Sequence, residues 1–199
     1  MKRILVMAAI TIAVSLILSS ATYADSITFT ATLKGSNENP ANASPGTGFA
    51  SVTINTVLNT IAVNVSFTGL EAGTTASHIH CCVAPGGNAG VATTVPFFTG
   101  FPIGVTSGIY SSVFDLGSAS TYNPAFITAN GGTIAGAEAA LLAGIESGDA
   151  YLNVHSTMFP AGEIRGFLTE VPEPGSILLL GSGLVGLLLS ARRRLLARS

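Results

Sequence analysis

Positive charge is almost missing from the middle of this chain. Of eight Lys and Arg, only Lys34 and Arg165 lie between residues 25 and 174, against ten Asp and Glu, so two bases set against ten acids leave that stretch at −8. Such a body argues against nucleic acid as a partner, because phosphate binding needs clustered bases. Cysteine is nearly absent, and the two present, Cys81 and Cys82, are neighbours. No bridge between distant strands can therefore form. What remains open to them is a vicinal disulfide, an intermolecular bridge, two free thiols, or soft metal ligation beside His80. Free thiols or a vicinal bridge rank above metal, because a strand points adjacent side chains to opposite faces. Neither a Gly-x-Ser-x-Gly pattern nor a phosphate loop occurs in the chain, which removes the sequence signals for a serine hydrolase or a nucleotide-binding enzyme. Histidine is scarce as well, with His78, His80 and His155 the only three.

Apolar residues, by contrast, crowd both ends. Met1-Lys2-Arg3 opens the chain, residues 4–18 are almost wholly apolar, and Thr22-Tyr23-Ala24 approximates a small-x-small cleavage site. This pattern predicts a secretory signal peptide over 1–24, cut between Ala24 and Asp25. At the other end Pro172-Glu173-Pro174 breaks the chain, residues 176–191 are rich in Leu and Gly, and Arg192-Arg193-Arg194 follow. A helix over those residues would span about 24 Å, somewhat short of the ~30 Å hydrocarbon core but able to cross it with local thinning. The arginines would stay cytoplasmic and leave the body of the protein outside.

That body, residues 25–170, reads as mainly β. Clean alternation predicts strands over 26–33, 49–54 and 60–67, the last with Ile61, Val63, Val65 and Phe67 on one face. Further strands are expected over 76–82, 91–98 and 108–114, and two more flank the turn Phe159-Pro160-Ala161-Gly162. One short helix is predicted over 134–145, capped by Thr133 and ended near Gly148. Seven or so short strands with Gly, Pro and Asn turns point to a β-sandwich or Greek-key barrel.

Three groups of residues carry a family resemblance. The first is Leu33-Lys34-Gly35-x-x-Glu38-x-Pro40 with Gly48-Phe49-Ala50 and His78-Ile79-His80. The second is Asn123-Pro124-Ala125-Phe126, Gly131-Gly132-Thr133 and Gly148-Asp149-Ala150-Tyr151-Leu152-Asn153-Val154-His155-Ser156. The third is Phe159-Pro160-Ala161-Gly162-Glu163-Ile164-Arg165-Gly166-Phe167-Leu168. In this order they resemble the CHRD (chordin-type) domain, over about residues 28–169. The resemblance implies an immunoglobulin-like β-barrel and an extracellular protein with a binding or structural role. Cys81-Cys82 departs from the Gly-rich sequence that the family usually has there. The Pro-Glu-Pro, apolar stretch and arginine cluster over 171–199 resemble the PEP-CTERM sorting signal. That likeness implies an exosortase-type peptidase as partner, transient membrane anchoring, and delivery to a bacterial surface or matrix, with exopolysaccharide or other surface proteins as further partners.

The candidate chemistry lies with the histidines. Two of them two residues apart on a strand face the same way, and imidazole suits copper or zinc. His155 supplies a third ligand from a distant strand, and Glu163 is the candidate to orient an imidazole from behind. The competing reading is a hydrogen-bonded structural network. Glu163 and Arg165, two apart, are expected to pair with each other or brace the turn. On this sequence a binding or structural role ranks first, and a metal-dependent redox or hydrolytic enzyme built on His78, His80 and His155 second.

Overall fold

Inward-facing apolar side chains of three long strands, β1 (Ser26–Lys34), β2 (Thr47–Asn55) and β3 (Thr60–Thr68), begin the core. The computed structural model describes residues 26–172 and five further positions between 181 and 187. In it these strands pair antiparallel in unbroken register, which sets Val52 between Phe29 and Val63, and Ala50 between Ala31 and Val65. All six are buried, and burial of a side chain the size of Val or Phe contributes about 1.5–3 kcal/mol. The β2–β3 turn is held by Asn55, whose Oδ1 accepts from the N–H of Val57 and of Leu58, while Asn59 takes a positive φ of 52°.

Strands β4 (Thr74–His80), β5 (Gly108–Asp115), β6 (Tyr151–Ser156), β7 (Ile164–Phe167) and β8 (Thr169–Glu170) complete one sheet. Its order is β4-β6-β7-β1-β2-β3-β5, with β8 paired to β1. Of the sandwich or barrel expected, the structure comes nearer the second: a single antiparallel sheet curled into a half-barrel. Twist accumulating over many strands curls a sheet in this way. The edge strands β4 and β5 do not pair. The connection before β5 bridges their ends instead, with Gly104 N–H donating to Thr74 O, and Thr74 N–H to Val105 O.

Two helices, not one, lie between β5 and β6. The shorter, α1 (Pro124–Ala129), starts on Asn123, whose side chain accepts from the Ala125 N–H, with proline in the first turn. The longer, α2 (Ile134–Glu146), starts as expected on Thr133, whose hydroxyl accepts from Gly136 N–H. Ala137, Leu141 and Ile145 are fully buried and recur at four-residue spacing, one stripe of the helix. No strand forms over 91–98. Only isolated bridges at Val91 and Thr93 occur, because Pro96 lacks the N–H that a ladder needs.

The fourth strand stops at His80 rather than running on to residue 82. Cys81 and Cys82 follow it, joined to each other by a disulfide. Their sulfurs lie against Gly144 of α2, where a Cβ would collide with both. The stretch 1–24 lies outside the described residues, as does most of 176–191, and among the described residues no helix is long and apolar enough to cross a membrane.

Gly144→Ala tests the packing of α2 on the disulfide. Forcing a methyl into filled space costs about 1–3 kcal/mol, read as a lower urea midpoint. A variant as stable as the parent would show that the helix does not rest on the cysteines.

Candidate metal centre

Lys34 of β1 stands opposite Arg165 of β7 and points away from the core, because its neighbour Leu33 is fully buried in it. The face of β7 that carries Arg165 is thus the outer face of the sheet. Across β6 and β4 the same face continues, since Asn153 pairs with Arg165 and with His78, while Tyr151 pairs with His80. Alternation adds His155 to it. Leu152, Val154 and Ile79 point the other way, into the core, at 0% exposure.

This outer face is not open to solvent. His78 is 6%, His80 8%, His155 8%, Asn153 2% and Arg165 1% exposed. Arg165 fastens the covering loops. Its Nε donates to Asn37 O at 2.6 Å, and its Nη1 donates to Gly87 O at 3.1 Å and Asn88 Oδ1 at 2.7 Å. Its guanidinium lies over the ring of Tyr151, 4.7 Å from the centroid, a favourable cation–π position.

Under this cover the three imidazoles meet. Ring centroids stand 5.4 Å apart for His78 and His155, and 5.8 Å for each of the other two pairs. One ligand nitrogen from each lies within 4.8 Å of the other two. Each ring is oriented by a backbone carbonyl: His78 Nε2 by Pro96 O at 2.6 Å, His80 Nδ1 by Ala89 O at 2.9 Å, and His155 Nδ1 by Pro160 O at 3.1 Å. A carbonyl can only accept, so those nitrogens carry the hydrogen. The opposite nitrogens, His78 Nδ1, His80 Nε2 and His155 Nε2, are buried without any hydrogen-bond partner. His80 is further fixed by stacking on Tyr151, centroids 4.8 Å apart.

Burial pushes His78 and His80 down to about 4, against the pull of their carbonyl partners, with the charge of neighbouring histidines adding to the fall. His155 is lowered by the same burial, opposed by the Pro160 carbonyl. At neutral pH all three are uncharged, the form that ligates metal. Glu38 moves the other way. Burial raises it to about 7 although Arg165 pulls it down.

Glu163 does not join the histidines. Its Oε1 accepts from Ser44 Oγ at 2.6 Å and from Glu71 N–H at 2.7 Å, so the task of orienting imidazoles falls to the three carbonyls. The expected pairing of Glu163 with Arg165 is also replaced: the carboxylate near Arg165 is Glu38, at 3.8 Å from Nε. The reason is local. Strand β7 begins only at Ile164, after Gly162 at φ 138°, so strand alternation does not reach back to Glu163. Three neighbours went unnoticed in the sequence reading of the site: Glu38, Tyr151 and Asn153. The last two were accessible, because they alternate with His155 on one strand.

Of the expected sorting residues Pro172 is described, while Glu173 and Pro174, like the expected cleavage residues Ala24 and Asp25, lie outside the described residues. The family model for the CHRD domain matches residues 29–168, and that for the PEP-CTERM protein-sorting motif matches 170–194. No curated protein and no solved structure matches the chain.

The shifted groups set a pH dependence. Unfolded, His78 and His80 take up protons as pH falls through 6.5; folded, they stay neutral to about 4. Their contribution to stability is therefore lost as pH drops from about 6.5 to about 4. Glu38 opposes them, since its folded proton is kept to about 7 and its unfolded one is lost near 4.5, so its contribution is lost as pH rises across that window. The histidines outnumber it. The urea midpoint of the metal-free protein should fall between pH 6.5 and 4.5, and fall less in a His78→Gln, His80→Gln variant. Equal slopes for the two proteins would contradict the buried, neutral cluster.

Proposed function

The chain belongs to the CHRD domain family and carries a PEP-CTERM sorting motif, and from that premise we propose that it is an exported domain that binds one transition-metal ion through His78, His80 and His155. The sorting motif implies export and recognition by exosortase-type machinery, which would present the domain at the outer surface. The reading rests on one observation in two parts: one nitrogen of each imidazole lies within 4.8 Å of one from each of the other two, and the nitrogen of each ring that no carbonyl occupies is buried without a partner.

A structural histidine network would bond these atoms to one another or to protein groups. Leaving a buried acceptor unsatisfied costs about 1–3 kcal/mol, and here there are three in one place. A cation removes all three costs at once. Neutral imidazole ligands favour copper or zinc over calcium or magnesium. Metal–nitrogen bonds of about 2.0–2.1 Å require only a modest inward turn of rings whose nitrogens already lie within 4.8 Å of one another. Carbonyl hydrogen bonds behind each ring supply the orienting partners that metal-bound histidines ordinarily have.

The protein purified without a histidine tag should carry, or take up, close to one equivalent of copper or zinc. His78→Ala and His155→Ala should each lower that content severalfold while circular dichroism still reports the folded sheet. Bound metal should also raise the thermal midpoint, since an ion at a hundred times its Kd adds about 2.7 kcal/mol. A protein that stays empty in added copper and zinc, or variants that bind as the parent does, would overturn the proposal.

A further inference from the structure

The unpartnered atoms do not end at the imidazoles. Asn153 Oδ1 and Glu38 Oε1 are also buried without a hydrogen-bond partner. Asn153 stands directly opposite His78 in the β4–β6 ladder, and His155 is two residues further along its own strand. Gly162 is where Glu38 joins it. A Cβ built there would lie 2.5 Å from Asn153 Nδ2, 2.8 Å from Asn153 Oδ1 and 2.8 Å from Glu38 Oε1. The amide and the carboxyl therefore both border the space beside Gly162, which has no side chain to fill it.

Glu38 also faces outward. With Asn39, Gly86, Arg165 and Phe167 it lines a surface cavity of about 470 Å³. One carboxyl thus stands between the outside and the buried polar face. The fit to a bound ion is specific. Three histidines leave a tetrahedral ion one ligand short. A water molecule in that position gives its lone pair to the metal and keeps two O–H donors. Asn153 Oδ1 and Glu38 Oε1 are two unused acceptors on the same face.

We propose that Asn153 and Glu38 hold a metal-bound water in the fourth coordination position, exchangeable for small monovalent anions that enter past Glu38. This rests on the reading of the histidine triad as a metal site. Asn153 and Glu38 act as positioning residues that hold the water, and the metal site is thereby open to exogenous ligands rather than closed by protein.

Azide is a suitable probe, read on the full chain loaded with Co2+, whose visible absorption reports its coordination. The work is done at pH 8, above the value of about 7 to which burial raises Glu38. Azide should change the spectrum of the parent protein. Glu38→Gln keeps the shape and an acceptor but removes a negative charge facing the anion, and should tighten azide binding at least about threefold, the scale of one unit charge a few ångströms away in a solvent-like dielectric. Asn153→Asp adds such a charge and should weaken azide by the same scale, at least about threefold. Opposite movement in the two variants is what a merely structural role would not give. Metal bound with an azide-silent spectrum, or azide affinities in both variants within twofold of the parent, would overturn this inference and leave the triad standing. Elemental analysis before azide is added separates the other failure: a protein that takes up no cobalt overturns the triad and the bound water together.

Discussion

Arg165 is 1% exposed, and the nearest carboxylate oxygen is 3.8 Å from it, so this buried cation is held chiefly by neutral oxygens. Those oxygens belong to two loops, one at Asn37 and one at Gly87 and Asn88. A buried charge cannot easily lose its partners, and the two loops are consequently pinned to the outer face of the sheet. That single constraint turns a polar sheet face, which would ordinarily be wet, into an interior.

The histidines depend on this cover in two ways. The loop that Arg165 holds at Gly87 and Asn88 continues directly to Ala89, whose carbonyl fixes His80 and also accepts from the Tyr151 hydroxyl. Burial under the same loops keeps the imidazoles neutral. The guanidinium donates to neutral oxygens of the loops and leaves one nitrogen of each imidazole without a protein partner. The acidic balance of the whole body complements this, since a net negative protein attracts cations from solution.

Much of this was legible in the sequence, and the particulars show why. His78 and His80 share a face because a strand repeats every two residues, and that inference needed no structure. The strands β1 to β3 and the Thr133 cap follow from alternation and capping chemistry in the same way. That His155 would join the pair was an expectation only, because it depends on β4 and β6 pairing across 70 or so residues of chain, which no local pattern encodes. The partners of Arg165 and Glu163 were misassigned for a similar reason. Spacing of two says the side chains share a face only while the strand is regular, and Gly162 ends that regularity. The part played by Glu38 was hidden altogether, because a loop carboxylate acquires its environment from a strand more than a hundred positions away. The choice between sandwich and barrel stayed open in the sequence because strand count alone does not decide whether a sheet splits in two or curls.

The central claim is that the outer face of β4 and β6 was built around an ion. Metal-edge X-ray absorption on the copper- or zinc-loaded protein tests it most directly. The account predicts about three imidazole nitrogens at ~2.0–2.1 Å, with the outer-ring scattering of histidine, and one further light ligand. A spectrum with sulfur neighbours from Cys81 and Cys82, or with oxygen alone and no imidazole scattering, would place the metal elsewhere and return the three histidines to a structural role.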